Sequence, residues 1–422
     1  MKSCLGGILC YNARGCSKRW RRLYSHFNLD IILELTPVAI SWRNHIPAMI
    51  NIQNNISLRE YTTFRVGGPA RFFACVKSVD ELKEAVAWAK GQRGSDGDAL
   101  QIFVLGGGSN IVVSDAGFGG LVIKNEIPGM EFSDETAGIV MATVGAGENW
   151  DSFVAKSVEL GLSGIENLSF IPGTVGGGAV QNIGAYGVEV QGAVDSVEVL
   201  DVARNEIVDF AAADCGFEYR DSMFKKNPGE FILTRIHFNL KKFDPAYAAV
   251  NVSYRDLKEY FSKIPEKSAA PESITPADVR EAVIDIRKRK LPDWTKLGTA
   301  GSFFKNPVIT EAKFVELKAA YPDLPSFPAG KATSEVVQGF VKVPLAWILD
   351  NVCGYRGKIH SGAIGVYQNQ ALVIVNDYLS AGNEADKAAG TAEQIKSLAA
   401  EMAQSVREKT GIDIAPEVQY IG

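Results

Sequence analysis

The stretch IFVLGGGSN, residues 102–110, indicates a strand that ends in a glycine loop. Four apolar residues predict a short buried strand, and the three glycines after it predict a turn lined by backbone rather than side chains. Successive N–H groups in such a loop converge on one anion, and a pyrophosphate is the natural ligand. GxGxxG and GxxxxGK[ST] are both absent here, so the Rossmann and P-loop interpretations lack their key residues. A tight turn without a ligand is the alternative.

A second glycine-rich stretch, IPGTVGGGAVQNIGAYG at residues 171–187, contains many small residues and few side chains able to do chemistry. Its amides can donate hydrogen bonds to phosphate or flavin oxygens. We expect an irregular connection here, following a helix at about residues 150–160. One such loop is ordinary, but two in separate α/β units predict a large dinucleotide held between subdomains.

The remaining elements follow from apolar periodicity and capping residues. Strands are predicted at 72–76, 111–113, 121–123, 197–202, 231–240 and 412–421, and helices after the caps Ser78, Thr275 and Thr391.

Charge is distributed unevenly along the 422 residues, whose formal net charge is −5. Basic residues concentrate in residues 1–48, and the acidic remainder argues against a nucleic-acid binder. No apolar run is long enough to cross a bilayer. Residues 1–48 are compatible with an Arg-rich transit peptide or with translated sequence upstream of a start at Met49. We favour the second, because the stretch has no sustained amphipathic period.

Cysteine and histidine are sparse beyond the leader. Cys75, Cys215 and Cys353 lie far apart without a CxxC pair, so we expect neither a metal site nor a disulfide, and a reducing cytoplasm fits. His237 and His360 are the histidines of this part, and no GxSxG elbow accompanies them. A Ser-His-Asp triad is therefore not expected.

Proton chemistry must then use other groups. The candidates are Arg220 in YRDS, Ser302 in AGSFFKNP and Glu417 near the end of the chain. Each also has a purely structural interpretation: a surface ion pair for Arg220, a cap for Ser302 and a strand-end charge for Glu417.

The run RKRK at residues 287–290 ends the helix that Thr275 caps. Cations are favoured at a helix C-terminus, so structure alone could explain it. Yet Arg287 and Lys290 continue the apolar stripe, and we expect both to face inward. Two cations that face inward, in a part of the chain that is acidic overall, predict an anionic ligand such as a nucleotide diphosphate.

Six motifs occur in order along the chain: TFRVGG (63–68), LGGGSN (105–110), IPG through QNIGAYG (171–187), YRDS (219–222), GSFFKNP (301–307) and PEV (416–418). From about residue 52 to the end, the chain resembles the UDP-N-acetylmuramate dehydrogenases, also called UDP-N-acetylenolpyruvoylglucosamine reductases. The resemblance implies an α+β protein with a two-subdomain FAD-binding fold of the vanillyl-alcohol-oxidase (PCMH) type and an α/β substrate-binding domain. We expect a leader at 1–48, FAD-binding subdomains at 49–130 and 131–243, a substrate-binding domain at 244–414, and a terminal strand at 415–422.

The resemblance also implies the reaction. NADPH reduces non-covalently bound FAD, and flavin N5 then passes hydride to UDP-N-acetyl-3-O-(1-carboxyvinyl)-glucosamine, giving UDP-N-acetylmuramate for peptidoglycan. Hydride addition places negative charge on the adjacent carbon and its carboxylate. By motif, Arg220 and a protonated Glu417 polarise that carboxylate, and Ser302 donates the proton, with Lys305 a candidate to support the serine alkoxide.

Binding residues follow from the same motifs. FAD contacts are implied at Arg65, Gly106, Gly107, Gly108, Ser109, Asn110, Ile171, Pro172, Gly173, Thr174, Gly176, Asn182 and Ala185. Substrate contacts are implied at Tyr254, Arg287, Lys290, Asn306 and Gln370, with Tyr254 in the substrate-covering loop of the longer family type. Gly177 and Gly178 stand where many members have serine or alanine.

Three functions are compatible with these features. The first is the reductase, expected as a cytoplasmic monomer that binds its UDP-sugar but neither nucleic acid nor membrane. The second is a small-alcohol oxidase of the same flavin superfamily. The third is a non-catalytic protein that binds flavin and nucleotide sugar.

Overall fold

The GGGSN loop begins where one strand of a four-stranded sheet ends. The computed structural model describes residues 50–94, 96–245, 250–330, 336–377 and 390–422, so the leader at 1–48 lies outside the described residues. The elements of this first region are β1 (Gln53–Ser57), β2 (Pro69–Val76), α1 (Val79–Lys90), β3 (Ile102–Leu105), β4 (Ile111–Val113) and β5 (Phe118–Asn125).

The sheet has the order β1-β2-β5-β3, with β2 and β3 parallel to β5. The Ser78 side chain accepts a hydrogen bond from the N–H of Glu81 at 3.1 Å and caps α1, as predicted. The apolar face of α1 is fully buried against the sheet. The strand predicted directly before GGGSN is therefore confirmed, and the loop lies at the carboxyl end of a parallel pair.

A second, antiparallel sheet follows in the order β12-β11-β13-β7-β6, with β8 paired to β13. The elements of this region are β6 (Met130–Phe132), β7 (Ile139–Gly145), α2 (Trp150–Glu159), β8 (Leu162–Ser163), α3 (Val175–Gln181), β9 (Gly184–Ala185), β10 (Val188–Glu189), β11 (Val194–Asp201), β12 (Glu206–Ala211), α4 (Met223–Lys226) and β13 (Phe231–Lys242).

Helix α3 corrects the prediction that residues 171–187 form an irregular connection. Its sequence VGGGAVQ has low helix propensity, but Thr174 caps it by accepting from the N–H of Gly177 at 3.2 Å. Small residues also let its backbone approach its neighbours closely, since a Cβ on Gly176 would lie 2.8 Å from the Cβ of Ala146. Close packing outweighs propensity here.

The third region mixes short sheets and helices. Its elements are α5 (Arg255–Phe261), α6 (Pro265–Ala269), α7 (Pro276–Lys290), β14 (Val308–Thr310), α8 (Glu311–Ala320), β15 (Phe327–Gly330), β16 (Val336–Lys342), α9 (Leu345–Trp347), β17 (Ile359–Ser361), β18 (Ile364–Val366), β19 (Ile374–Asn376), α10 (Ala392–Thr410) and β20 (Gln419–Ile421). The predicted caps Thr275 and Thr391 are both present, each as part of a capping box, and Gly411 ends α10 in a left-handed conformation.

The end of the chain returns to the first region. Strand β20 pairs in parallel with β4, directly after the glycine loop. The predicted strand over 412–421 is wrong in extent. The residues before β20 contact the segment around Phe303 and Phe304 through one isolated bridge and two backbone hydrogen bonds rather than a continuous ladder. One apolar core accordingly joins Phe64 and Val112 of the first region to residues of the third.

Within the residues that the structure describes, every helix is too short or too polar to span a bilayer.

Candidate active site

The two glycine loops touch each other. A Cβ placed on Gly107 would lie 2.5 Å from the Cα of Gly173, and one on Gly106 would lie 2.6 Å from Oγ1 of Thr174. The Ser109 hydroxyl donates to the carbonyl oxygen of Pro172 at 3.0 Å. No side chain fits at Gly107, so the backbones of the two loops pack directly together there.

A cavity of about 360 Å³ runs along both loops, within the range of nucleotide and cofactor sites. Eleven of the residues predicted to bind the cofactor line it: Gly106, Gly107, Gly108, Ser109, Asn110, Ile171, Pro172, Gly173, Thr174, Gly176 and Ala185. A wall of glycine backbone and apolar side chains fits a large dinucleotide such as FAD, because N–H groups rather than side chains meet the phosphates.

Two of the predicted cofactor residues do not line this cavity. Asn182 is buried, and its amide nitrogen donates to the carbonyl oxygen of Glu218 at 2.8 Å while its oxygen accepts from the N–H of Gln191 at 3.2 Å. The guanidinium of Arg65 donates to the carbonyl oxygen of Glu60 at 3.3 Å. Their contacts with FAD stay predictions.

Arg220 and Glu417 form an ion pair on the cavity wall. Nε of Arg220 donates to Oε1 of Glu417 at 3.0 Å, and the two side chains are only 17% and 16% exposed. Nη2 of Arg220 also donates to the carbonyl oxygen of Gly184. The backbone of Arg220 has φ of 56°, a left-handed conformation that non-glycine residues adopt rarely and that often marks functional sites.

Backbone pairing brings Ser302 and Glu417 together from distant segments. The N–H of Glu417 donates to the carbonyl oxygen of Phe303 at 2.8 Å, one residue after Ser302. The side-chain amide of Asn110 donates to the carbonyl oxygen of Glu417 at 3.3 Å and ties it to the first glycine loop. Arg220, Ser302 and Glu417 all line the one cavity. The structure therefore assembles the three residues that the motifs singled out.

Tyr219 lies beside the ion pair. Its ring centroid is 3.7 Å from Nζ of Lys342 and 5.1 Å from Cζ of Arg220. Burial raises the pKa of the Tyr219 hydroxyl. Two cations therefore lie against the ring of Tyr219, next to the ion pair.

The structure separates the two cations of α7 that were predicted to face inward together. Arg287 lines the cavity, and its Nε donates to the carbonyl oxygen of Phe170 at 3.0 Å. Burial lowers the pKa of the Arg287 guanidinium, while the neighbouring Tyr186 and Asp151 act in the opposite sense.

For Lys290, the prediction of an inward-facing side chain is wrong. Its Nζ forms an ion pair with Oδ2 of Asp256 at 2.6 Å, and 46% of its side chain is exposed. Lys290 is the last residue of α7, and a carboxylate on α5 holds its ammonium at the surface.

The other predicted substrate contacts lie away from the cavity wall. Tyr254 caps α5, is 42% exposed, and its ring lies 5.4 Å from that of Tyr186. The side-chain oxygen of Asn306 accepts from the N–H of Leu345 at 2.9 Å. Gln370 belongs to the turn between β18 and β19. Their substrate contacts stay predictions.

Lys225 and Gln181 line the cavity but were not among the predicted site residues. Nζ of Lys225 donates to Oε1 of Gln181 at 2.5 Å and to the carbonyl oxygen of Arg220 at 3.1 Å. Burial lowers the pKa of Lys225, and the charge of Lys305 acts in the same direction. The one available signal was the position of Gln181 inside the second glycine-rich stretch.

The sequence of this chain is similar to those of known proteins. Residues 70–211 match a family model described as an FAD binding domain, and residues 293–421 match the C-terminal domain of UDP-N-acetylenolpyruvoylglucosamine reductase. The chain is 37% identical over 366 residues to the UDP-N-acetylenolpyruvoylglucosamine reductase of Ralstonia nicotianae, a match that covers 85% of this chain and 96% of that one. The chain belongs to this reductase family.

A second relative, the UDP-N-acetylenolpyruvoylglucosamine reductase of Pseudomonas aeruginosa, is 34% identical over 368 residues, covering 87% of this chain and 98% of that one. The crystal structure of the family member from Thermus caldophilus covers 88% of this chain and all of its own, with a TM-score of 0.56 and 23% identity. That structural likeness shows the fold alone.

Membership of the family confirms three predictions. The family itself, the α+β class with an FAD-binding region followed by a separate C-terminal domain, and the assignment as an FAD-dependent oxidoreductase all hold.

Proposed function

We propose that this chain reduces UDP-N-acetyl-3-O-(1-carboxyvinyl)-glucosamine to UDP-N-acetylmuramate, with FAD as cofactor and NADPH as co-substrate. The observation that supports it most is that Arg220, Ser302 and Glu417 line the same cavity as both glycine loops. Relatives named as this reductase match the chain over nearly their whole length. The proposal places the chain in peptidoglycan precursor synthesis, as a cytoplasmic monomer.

When bound, FAD accepts hydride from NADPH and supplies it to the enolpyruvyl group. The N–H groups of the two glycine loops would hold its phosphates, and Arg220, Ser302 and Glu417 line the same cavity. The Ser109 hydroxyl already bridges the two loops, so the cofactor would meet a preorganised wall.

Hydride addition places additional negative charge on the adjacent carbon and on the substrate carboxylate. Arg220 carries a positive charge that its partly buried position leaves weakly screened. Its Nε is occupied by Glu417 and its Nη2 by the carbonyl of Gly184, so the guanidinium is fixed rather than mobile. A preorganised donor of this kind stabilises developing charge without reorganising during the reaction.

Ser302 is the proposed proton donor. Its side chain is partly buried on the cavity wall, and among the described residues its hydroxyl forms no hydrogen bond with another protein group. The hydroxyl is thus available to point at the carbon that receives the proton. Lys305, three residues on, is the proposed support for the alkoxide.

Arg287 is the proposed contact for the diphosphate. It lines the cavity at the end of α7, and its hydrogen bond to Phe170 directs the guanidinium along the second glycine-rich stretch. Tyr254, Lys290, Asn306 and Gln370 are proposed to complete the substrate site, and Arg65 and Asn182 the cofactor site.

The test is NADPH oxidation by the FAD-loaded protein without oxygen. NADPH consumption should require the enolpyruvyl UDP-sugar, with UDP-N-acetylmuramate formed in equal amount. UDP-N-acetylglucosamine, which lacks the enolpyruvyl group, serves as the control. Turnover of a simple alcohol with oxygen, and none of the UDP-sugar, would replace the proposal with an oxidase.

A further inference from the structure

Lys225 occupies an unusual position for a cavity lysine. Its ammonium donates to Oε1 of Gln181 and to the carbonyl oxygen of Arg220, and among the described residues it forms no ion pair. Among the nearby charges, Lys305 and Arg220 disfavour the ammonium, whereas Glu417 and Asp221 favour it. Its two hydrogen bonds, rather than a direct ion pair, therefore fix the ammonium on the cavity wall.

The ammonium fixes the direction of the Gln181 amide. Lysine has donors and no acceptor, so the oxygen of the amide must face Lys225. The NH₂ group then faces the other way, and Nε2 of Gln181 donates to Oε1 of Glu417 at 3.3 Å. Reversing the amide would set NH₂ against an ammonium and a carbonyl oxygen against a carboxylate.

Oε1 of Glu417 therefore accepts two hydrogen bonds, one from Gln181 and one from Nε of Arg220 at 3.0 Å. Its other oxygen, Oε2, accepts none among the described residues. Oε2 is therefore the oxygen of Glu417 that is left to meet a ligand.

We propose that Lys225 and Gln181 are positioning residues, which keep Oε1 of Glu417 occupied and present Oε2 to the carboxylate of the substrate. The inference rests on the proposed function and deepens it. It places a chain of hydrogen bonds, Lys225 to Gln181 to Glu417, behind the residues that contact the substrate.

The first test is Lys225→Met, which keeps the length of the side chain and removes the ammonium. Losing a charge-assisted hydrogen bond should slow reoxidation of the reduced flavin by the enolpyruvyl UDP-sugar about 10- to 100-fold. Flavin reduction by NADPH needs no Glu417 carboxyl and should stay within about twofold. The Kd of the oxidised protein for the UDP-sugar, measured by calorimetry, should also change little, because the substrate still meets Arg220 and Arg287.

Two variants serve as controls. Lys226→Met removes the neighbouring lysine, which is exposed and pairs with Glu218, and should leave both half-reactions unchanged. Lys225→Arg keeps a cationic donor and should recover part of the rate.

The sharper test is a double-mutant cycle with Gln181→Leu. Because both residues act through one chain of hydrogen bonds, the double variant should be no slower than the slower single variant. The inference would be overturned if the two single-variant rate losses multiplied in the double variant. It would also be overturned if Lys225→Met slowed both half-reactions equally, or left the rate of reoxidation unchanged. If the unsubstituted protein is reduced by NADPH but is not reoxidised by the UDP-sugar, the proposed function itself fails, and this inference with it.

Discussion

Gly107→Ala tests whether the two glycine loops form the flavin site by touching. The new Cβ would lie 2.5 Å from the Cα of Gly173, about 0.9 Å short of the 3.4 Å at which ordinary contact begins. The Cβ is fixed in position by its own backbone and the Cα of Gly173 is a backbone atom, so no rotamer change can relieve the overlap. The loops must separate, and overpacking of this kind costs about 1–3 kcal/mol.

If that free energy is needed to close the loops on the cofactor, the Kd for FAD rises about 5- to 150-fold. The assay is titration of the FAD-free protein with FAD, followed by quenching of flavin fluorescence. Gly119→Ala is the matched control: Gly119 is exposed on β5, its added Cβ meets nothing within 4 Å, and its backbone is not left-handed. Equal Kd values for the Gly107→Ala, Gly119→Ala and unsubstituted proteins would refute the contact between loops as the basis of the site.

Three further results are expected. Ser302→Ala should leave flavin reduction by NADPH intact and slow reoxidation by the enolpyruvyl UDP-sugar about 100- to 1,000-fold in stopped-flow traces; equal slowing of both steps would remove Ser302 as proton donor. Arg287→Met should raise KM for the UDP-sugar about tenfold or more in steady-state assays, and an unaltered KM would contradict the diphosphate contact. Burial raises the pKa of Asp151, but the hydrogen bonds that its carboxylate accepts from Arg280 and Phe170 outweigh burial and hold the pKa below 3.8. The stability that these contacts give the fold is therefore present at neutral pH and is lost as pH falls through the lowered pKa. The Tm difference between Asp151→Asn and the unsubstituted protein should therefore shrink in acid, and a constant difference would contradict this role.

Local sequence predicts the parts of the fold that local interactions determine. The strand before GGGSN, the Ser78 cap and the bounds of α7 all follow from residues within one turn of each other. Helix α3 could not be predicted this way, because its three glycines disfavour a helix and its stability comes from packing against Ala146 and Trp150.

The site depends on contacts that no local pattern encodes. Arg220 and Glu417 are 197 residues apart in sequence, and Lys225 and Gln181 are 44 apart. Resemblance to a family brought Arg220, Ser302 and Glu417 together, whereas Lys225 carried no motif of its own and went unnoticed. The outward direction of the Lys290 side chain also depends on a distant contact. Helical periodicity predicts that this side chain faces inward, but an ion pair with Asp256 on another helix holds it at the surface.

The most direct test of the whole account is an anaerobic titration of the purified, FAD-loaded protein followed by its visible spectrum. The account predicts that NADPH bleaches the flavin absorbance and that one equivalent of the enolpyruvyl UDP-sugar restores it, while UDP-N-acetylglucosamine does not. A flavin that NADPH reduces and that the enolpyruvyl UDP-sugar leaves reduced would contradict the account.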